Sequence, residues 1–273
     1  MKSNFKVRVA AIQMTSTPDR SANLHQARRL FLEALSHQPY LVSFPESFSF
    51  LSGRGKELLN GAETLQDVTV ETLQEWCAEY GVWIHAGGIF LKSKKRNKIT
   101  NTSLLISPQG EIVSKYHKIH LFNAALSGDK AAYKESKTVK AGRKIVTAKL
   151  PFGVVGFSVC YDLRFPELFR KLADKGAHII FIPAAFTALT GKAHWDVLTR
   201  ARAIENQVFV IAAAQTGSPY PGRITYGHTR IIDPWGRVIA ERPSTPGVVW
   251  ADLDFEELNK VRSELPALVH RRI

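Results

Sequence analysis

Three ionisable side chains of different chemistry each follow a segment with the pattern of a buried strand: Glu46, Lys118 and Cys160. Because ligands bind beyond the carboxyl ends of strands in α/β sheets, we expect the three side chains to meet. A thiol is mostly protonated at neutral pH and needs a base, which a half-buried carboxylate with a raised pKa can supply. A neighbouring lysine favours the thiolate and can donate to an oxyanion. The set therefore predicts nucleophilic catalysis by a cysteine.

Each of these residues also has a structural explanation when it is taken alone. A cysteine beside an apolar strand is usually a small core residue. Glu46 has the alternative of a helix cap, and Lys118 that of a surface charge. The convergence of a carboxylate, an ammonium and a thiol at strand ends favours the catalytic interpretation.

The segment Gly153–Leu168, GVVGFSVCYDLRFPEL, surrounds the thiol. Its first half predicts a buried strand that stops at Cys160, and Phe-Pro-Glu-Leu at its end predicts the start of a helix that runs to Lys175. A thiol on such a turn is where an α/β protein places a nucleophile. The backbone N–H of Tyr161, just past the thiol, is a natural second oxyanion donor. Asp162 is expected to fix the turn.

Further residues are candidates for substrate binding. Arg164 lies four residues after the thiol, where it could pair with a substrate carboxylate. An ion pair with Glu167 and a contact in a subunit interface are its structural alternatives. Phe186 and Thr187 follow the strand that ends at Pro183, so we expect them to line the same crevice.

Histidines near Lys118 raise the question of a metal. His117 and His120 flank this lysine, and we interpret them as residues that position the loop or line the substrate rim. A zinc site wants paired Cys and His ligands. Cys160 has no CxxC partner and Cys77 lies in a predicted helix as core, although a pair of one cysteine with a histidine stays open. We expect neither a metal nor an organic cofactor.

The composition is typical of a folded intracellular protein. The chain has 273 residues, of which 45% are hydrophobic and 22% charged, so a sizeable core is expected. Two cysteines form no disulfide framework and fit a reducing compartment, which we take to be the cytoplasm. No segment has the pattern of a signal peptide or approaches the ~20 apolar residues of a membrane span.

The net charge of +13 has two interpretations. One is binding to nucleic acid or to an anionic membrane, and the other is a solvated basic surface around a site for an acidic small molecule. The basic clusters, such as KSKKRNK at Lys92–Lys98, are not interleaved with exposed aromatic residues or placed along a helix face. We therefore expect no nucleic acid and no membrane among the partners.

The order of predicted elements is β-α-β-α-β-β-β followed by β-β-α-β-α-β-β-β-β. Many strands are apolar on both faces, so helices must cover them. The pattern predicts two sheets with helices outside. Ser21 is the predicted cap of the first helix, and His194–Asn206 is a later helix. Leu121–Arg143 is predicted to be a long loop over the molecule.

Three motifs, in this order, resemble the carbon–nitrogen hydrolase (nitrilase) superfamily: FPES at Phe44–Ser47, KYHKIHLF at Lys115–Phe122 and VCYDLRFPEL at Val159–Leu168. The resemblance extends over nearly the whole chain. It implies a four-layer α-β-β-α sandwich, usually paired in a homodimer. We expect one domain over residues 1–273, with a core of about 6–255 and a C-terminal tail of 256–273.

The resemblance also implies a role for each motif residue. Glu46 is the general base, Lys118 stabilises the oxyanion and Cys160 is the nucleophile. Glu135, in the segment Glu135-Ser136, matches a second glutamate that positions the lysine and helps proton transfer.

Within the superfamily the chain is similar to the Nit branch, through Thr190–Gly217 and through YGHTRIIDPWG at Tyr226–Gly236. This branch is known for amidases that act on side-chain amides of α-keto acids through a cysteinyl thioester, with release of ammonia. Two substrates are implied: deaminated glutathione, which has a 2-oxoglutaramate head, and free 2-oxoglutaramate. HWDVLTRARAIE favours the first, whereas KIHLF leaves the second open. A non-catalytic scaffold and a basic nucleic-acid binder are the distant alternatives.

Overall fold

Two mixed β-sheets dominate the computed structural model, which describes residues 6–95, 97–127 and 132–273. In the described part of the chain each of these sheets has six strands, in the orders β16-β1-β2-β3-β4-β5 and β15-β14-β11-β10-β9-β8. Two hairpins, β6-β7 and β12-β13, stand apart from them. The strands are β1 (Lys6–Gln13), β2 (Leu41–Ser43), β3 (Trp83–Lys92), β4 (Ile99–Ile106), β5 (Ile112–His117), β6 (Asn123–Ala125), β7 (Ala132–Lys134), β8 (Thr147–Leu150), β9 (Gly153–Phe157), β10 (Ile179–Phe181), β11 (Phe209–Ala212), β12 (Thr216–Tyr220), β13 (Arg223–Tyr226), β14 (Thr229–Ile232), β15 (Val238–Arg242) and β16 (Gly247–Asp254).

Helices complete the described part of the fold. They are α1 (Arg20–Leu35), α2 (Gly55–Asn60), α3 (Val68–Tyr80), α4 (Pro166–Asp174), α5 (Ala188–Asn206), α6 (Phe255–Glu264) and α7 (Ala267–His270). Short 3-10 turns occupy Glu135–Lys137 and Cys160–Arg164. Within the described residues, no helix combines the length and the apolar character needed to cross a membrane.

Alternate residues of β1 separate the layers. Val7 and Val9 belong to the apolar cluster that contains Phe157 of β9, so one face of the first sheet packs on the second sheet. Ile12 points the other way and packs in the cluster of α1 and α3. Helices α4 and α5 contact β9 and β11 on the far side of the second sheet. The predicted four-layer α-β-β-α sandwich is confirmed.

Two predicted helix starts are wrong. The cap of α1 is Asp19, whose carboxylate accepts a hydrogen bond from the N–H of Ala22 at 3.0 Å, and not Ser21. Helix α5 begins at Ala188, after the cap Thr187, and not at His194. Gly191 weakened the helical pattern there, because glycine disfavours helix interiors. The structure explains this glycine: a Cβ on it would lie 2.2 Å from the Tyr226 ring.

The segment after the thiol forms a turn and then a helix, as predicted, and the helix ends at Asp174, one residue before the predicted Lys175. The 3-10 turn Cys160–Arg164 comes first, and α4 then begins at Pro166. Proline suits the first position of a helix because its missing N–H would have no helical partner there. The break lets the thiol sit on a turn of its own before the helix.

The predicted long loop Leu121–Arg143 contains regular structure as well. Its described part includes the hairpin β6-β7 and the turn at Glu135–Lys137, while residues 128–131 lie outside the described residues. The hairpin β12-β13 was not predicted, because proline and glycine interrupt its strand pattern. Both hairpins reach the cavity described below.

Candidate active site

The carboxylate of Glu46 is buried just beyond β2, with 4% of the residue exposed. Its Oε1 accepts hydrogen bonds from Nζ of Lys118 at 2.9 Å and from Nδ2 of Asn101 at 2.8 Å. Its Oε2 accepts one from the backbone N–H of Ala185 at 2.9 Å. Three donors from three separate segments therefore hold both carboxylate oxygens in one orientation.

Two glycines inside β3 allow this placement. A Cβ on Gly87 would lie 2.1 Å from the carbonyl oxygen of Phe44 and 2.4 Å from Cβ of Pro183, so only glycine lets these segments approach. Gly88 forms a bridge with Glu46 itself. The glycines that interrupt the apolar pattern of this strand thus make room for the segments that carry the carboxylate.

Lys118 lies between two carboxylates and is 2% exposed. Its Nζ is 2.9 Å from Oε1 of Glu46 and 3.0 Å from Oε2 of Glu135. Glu135 is fixed in turn, because its Oε2 accepts from the N–H of Phe122 at 2.6 Å. Burial alone would lower the pKa of Lys118, but the charges of Glu135 and Glu46 raise it well above its usual value. The lysine is therefore an ammonium ion.

Cys160 occupies a left-handed backbone conformation, with φ of 50°. This region is sterically unfavourable for a residue that has a Cβ, and such strain concentrates at functional sites. The N–H of Cys160 donates to the carbonyl of Pro183 at 2.9 Å, which ties the turn to the end of β10. The N–H of Tyr161 is among the first donors of the 3-10 turn, which lack partners within a helix.

Asp162 is fully buried and stabilises this turn by accepting hydrogen bonds. Its Oδ2 accepts from the hydroxyl of Tyr116 at 2.6 Å and from the N–H of Val159 at 2.8 Å. Its Oδ1 accepts from the N–H of His120 at 3.0 Å and contacts Nδ1 of the same residue at 2.7 Å. One carboxylate thereby joins the Cys160 turn to the strand that precedes Lys118.

The thiol of Cys160 and the carboxylate of Glu46 line the same cavity, and each shifts the pKa of the other. Burial, followed by the charge of Glu46, raises the pKa of Cys160 well above its ordinary value, and Lys118 offsets only part of this. Burial would also raise the pKa of Glu46, but Lys118, the thiol and the N–H of Ala185 together lower it. The expected raised pKa of Glu46 is therefore wrong, because its hydrogen-bond donors outweigh its burial. The free site contains a thiol beside a carboxylate.

A cavity of about 410 Å³ opens above the thiol. Its lining includes Glu46, Lys118, Cys160, Glu135, Tyr161, Arg164, Phe186 and Thr187, which are all but one of the predicted site residues. The exception is His120, which is not part of the lining. Its ring stacks on Phe165 at 3.7 Å between centroids and bonds to Asp162, so it supports the turn instead of the substrate rim.

Three roles are expected for Arg164: a contact with a substrate carboxylate, an ion pair with Glu167 and a contact in a subunit interface. No ion pair with Glu167 forms among the described residues, and the guanidinium of Arg164 instead lies 5.2 Å from the ring centre of Phe186. Its Nη1 is 3.3 Å from Nδ1 of His194. The side chain is half-buried at the cavity wall, where it can meet an anionic ligand.

Asn101 and Arg223 are among the cavity residues that the sequence did not predict. Asn101 lies inside β4, where an amide looks like one more strand residue, yet it donates to Glu46. Arg223 starts the unpredicted strand β13. The backbone of that strand bonds to the segment after β10, through the N–H of Tyr226 and the carbonyl of Phe186.

The described residues also bear on metal binding. Among residues 6–95, 97–127 and 132–273, no group of three or more His, Cys, Asp or Glu side chains is arranged to hold a metal ion. Three histidines could in sequence terms form a metal-binding pair with Cys160, but each has another partner. His117 bonds to Thr102, His120 to Asp162 and His194 to Arg164. Cys77 is buried in α3, where burial raises its pKa to about 12.

Known sequences resemble this chain over nearly its full length. The profile of the carbon-nitrogen hydrolase family matches residues 8–263. Deaminated glutathione amidase of Synechocystis sp. is 45% identical over 265 residues, which are 96% of this chain and 97% of that protein. The human protein of the same name is 38% identical over 267 residues, 97% of this chain and 82% of that protein.

Solved structures share the fold. The C. elegans NitFhit protein matches with a TM-score of 0.91 and 35% identity over 98% of this chain, which spans 65% of the NitFhit chain. Saccharomyces cerevisiae Nit3, of branch 10 of the nitrilase superfamily, matches with a TM-score of 0.86 and 30% identity, over 96% of this chain and 94% of that one. Motifs, fold and relatives agree, and this chain belongs to the carbon-nitrogen hydrolase family.

Proposed function

We propose that this chain is a thiol-dependent amidase that hydrolyses the amide of deaminated glutathione, with 2-oxoglutaramate as the alternative substrate. The observation that carries the proposal is the contact of three groups at one cavity: the thiol of Cys160, the carboxylate of Glu46 and the ammonium of Lys118. Relatives known as deaminated glutathione amidases support the choice of substrate. A non-catalytic scaffold would need none of these buried charges.

In the first half of the reaction, Glu46 takes the proton of Cys160 and the thiolate attacks the amide carbon. The lowered pKa of Glu46 keeps it ionised and ready to accept the proton. Lys118 and the N–H of Tyr161 stabilise the oxyanion, an effect worth about 3 kcal/mol per donor. Glu46 then protonates the leaving nitrogen as the carbon–nitrogen bond breaks, which leaves a thioester on Cys160.

In the second half, Glu46 takes a proton from water and the new hydroxide attacks the thioester. The carbon–sulfur bond breaks, the acid leaves, and the proton on Glu46 returns to the thiolate of Cys160. Glu135 contacts the ammonium of Lys118 and keeps it in position through both halves. The cycle balances with water as its only co-reactant.

The leaving group depends on the substrate. Free 2-oxoglutaramate has a primary amide and releases ammonia. Deaminated glutathione has its head joined to cysteine by a secondary amide, so the amine of the cysteinylglycine dipeptide leaves instead. The expectation of ammonia therefore applies to the alternative substrate only. Both substrates release 2-oxoglutarate, which makes this acid the product to measure.

The test compares kcat/KM for deaminated glutathione and 2-oxoglutaramate by release of 2-oxoglutarate, with asparagine and a simple nitrile as controls. We expect the highest value for deaminated glutathione. A higher value for 2-oxoglutaramate would select the alternative substrate. Equal rates on asparagine or the nitrile would contradict both assignments.

We further propose a homodimer of this chain in the cytoplasm. Val197 and Ile204 lie seven residues apart on the same face of α5 and are 64% and 48% exposed. Ile204 packs beside Gly236, next to the exposed Trp235, which extends this apolar surface. Sedimentation velocity tests the pairing: Val197→Glu should yield monomers if α5 forms the interface.

The division into one domain with a core of about 6–255 also stays a proposal.

A further inference from the structure

Arg223 is the buried cation of the cavity without a carboxylate partner among the described residues. It is 8% exposed and lines the same cavity as Cys160. The other buried cation there, Lys118, contacts two carboxylates. Arg164 lies half-buried at the wall, beside His194. An unpaired buried charge is costly, so a guanidinium in this position needs an anion to complete it.

The contacts of Arg223 leave part of its guanidinium without a hydrogen-bond partner in the described structure. Its Nη2 donates to the carbonyl of Ala185 at 2.5 Å, and its guanidinium lies 4.8 Å from the ring centre of Tyr133. Its buried Nε makes no hydrogen bond within the described structure. A guanidinium presents five N–H donors in a planar fork that matches a carboxylate.

The position of Arg223 relative to the thiol fits the acyl half of a substrate. Arg223 donates to the carbonyl of Ala185, whose N–H donates to Glu46, so the guanidinium lies one residue from the general base and lines the cavity of the thiol. The acyl half must stay bound as the thioester while the amine leaves. An anchor that is nearly excluded from water suits the half that stays, whereas the more exposed Arg164 suits the half that leaves.

We propose that Arg223 binds the α-keto carboxylate of the acyl half and so makes the site specific for amides of dicarboxylic acids. This inference rests on the proposed amidase function and extends it to a residue from β13. It assigns the specificity of the acyl half to Arg223 instead of to Arg164. The competing explanation is that Arg223 only supports the peptide of Ala185, whose N–H donates to Glu46.

Arg223→Met separates these explanations through kinetics. If Arg223 binds the acyl carboxylate, kcat/KM should fall about 100-fold or more for both deaminated glutathione and 2-oxoglutaramate, mainly through KM, because a buried charge pair is lost. Butanamide lacks the carboxylate, and its kcat/KM should change less than about threefold. Arg223→Lys should restore part of the loss.

Arg202→Met is the matched control. Arg202 is also buried, also donates to a backbone carbonyl, that of Leu163, and also lies over an aromatic ring, that of Phe169, but outside the cavity. Its loss should affect the acidic and neutral amides by the same factor. An equal loss on both kinds of amide in Arg223→Met would overturn the proposal. So would a loss confined to deaminated glutathione, because that result would place the glycine carboxylate at Arg223.

Binding without turnover provides a second readout. Glutarate should bind to Cys160→Ala, and adding Arg223→Met should weaken its affinity about 100-fold by calorimetry. Unchanged glutarate affinity would contradict the anchor. If Arg223→Met does not fold, Arg223→Lys is measured in the same way. Failure of the proposed function would look different: the wild-type chain would turn over neither α-keto amide, whatever its affinity for glutarate.

Discussion

The thiol of Cys160 and the carboxylate of Glu46 meet at the cavity with opposed pKa shifts, so that the proton belongs to sulfur. Each group shifts the other in the direction that keeps it there: the carboxylate raises the pKa of the thiol, and the thiol helps to lower that of the carboxylate. The nucleophile is therefore stored in its protonated form. Its activation requires transfer of that proton to Glu46 as the substrate carbonyl is attacked.

Glu46→Gln should separate thiolate formation from turnover. Removing the carboxylate charge lowers the pKa of Cys160, because Glu46 raises it and Lys118 lowers it. Alkylation of Cys160 by iodoacetamide at pH 8 should therefore become faster, while amidase activity falls about 1,000-fold for lack of a general base. Mass spectrometry of the alkylated peptide and 2-oxoglutarate release provide the two measurements.

Glu135→Gln is the control for that experiment. It removes a carboxylate from Lys118 but leaves the charge of Glu46 beside the thiol, so alkylation should change far less than in Glu46→Gln. Slower alkylation of Glu46→Gln than of the wild-type chain would show that the carboxylate promotes the resting thiolate. This result would contradict the raised pKa of Cys160 and the lowered pKa of Glu46.

The pH profile of kcat/KM should be flat through neutrality. Glu46 must be ionised, and its pKa is lowered from 4.5, so activity is lost only as the pH falls below about 4.5. The thiol and Lys118 must be protonated, and their pKa values lie well above 9.0 and 10.5, so activity persists to at least about pH 9. An acid limb near pH 7 would contradict this protonation state.

The two cysteines should differ completely in function. Cys160→Ala should abolish turnover while the thermal midpoint stays close to the wild-type value. Cys77 is buried in α3 with its pKa raised to about 12, so it behaves as a core residue. Cys77→Ala should lower the free energy of unfolding by about 1 kcal/mol and leave kcat unchanged. Amidase activity that survives in Cys160→Ala would refute the thioester mechanism.

Asp162→Asn should weaken the turn that carries the thiol. An amide keeps one acceptor oxygen but turns a donor toward the groups that donate to Asp162. The free energy of unfolding should fall by about 2–4 kcal/mol, and kcat should fall with it. Tyr116→Phe removes a single one of these hydrogen bonds and should cost about 1–2 kcal/mol. Chemical denaturation measures the free energy of unfolding of both variants. Equal losses of this free energy would contradict the role of Asp162 as an acceptor shared by several donors.

The sequence predicted the elements whose type and ends are determined by residues close together in the chain. The alternation in β1 and the apolar face of α3 follow from periodicity, and Gly81 ends α3 with φ of 65° as a glycine does. The cavity brings Glu46, Lys118 and Cys160 together because each follows a strand whose end lies there. These relationships are carried by residues close together in sequence or by strand direction.

Predictions failed where distant segments decide the outcome. The lowered pKa of Glu46 depends mainly on Lys118, 72 residues away in sequence, with smaller contributions from Cys160 and from the N–H of Ala185. The role of His120 depends on Asp162, and the start of α5 depends on Tyr226 filling the space beside Gly191. Arg223 gave no signal at all, because nothing in its neighbouring residues distinguishes a buried arginine from a surface one.

The peptide group of Ala185 has a consequence for redesign of this enzyme. Its N–H donates to Glu46, while its carbonyl accepts from Arg223. Replacing Arg223 to admit neutral amides therefore also removes the donor to this carbonyl, at the cost of less than about threefold expected for butanamide. The safer route retains a donor to that carbonyl, as Arg223→Lys does, and changes Tyr133 or Tyr220 around it. The backbone of one residue thus lies between the residue proposed to select the substrate and the carboxylate that activates the thiol.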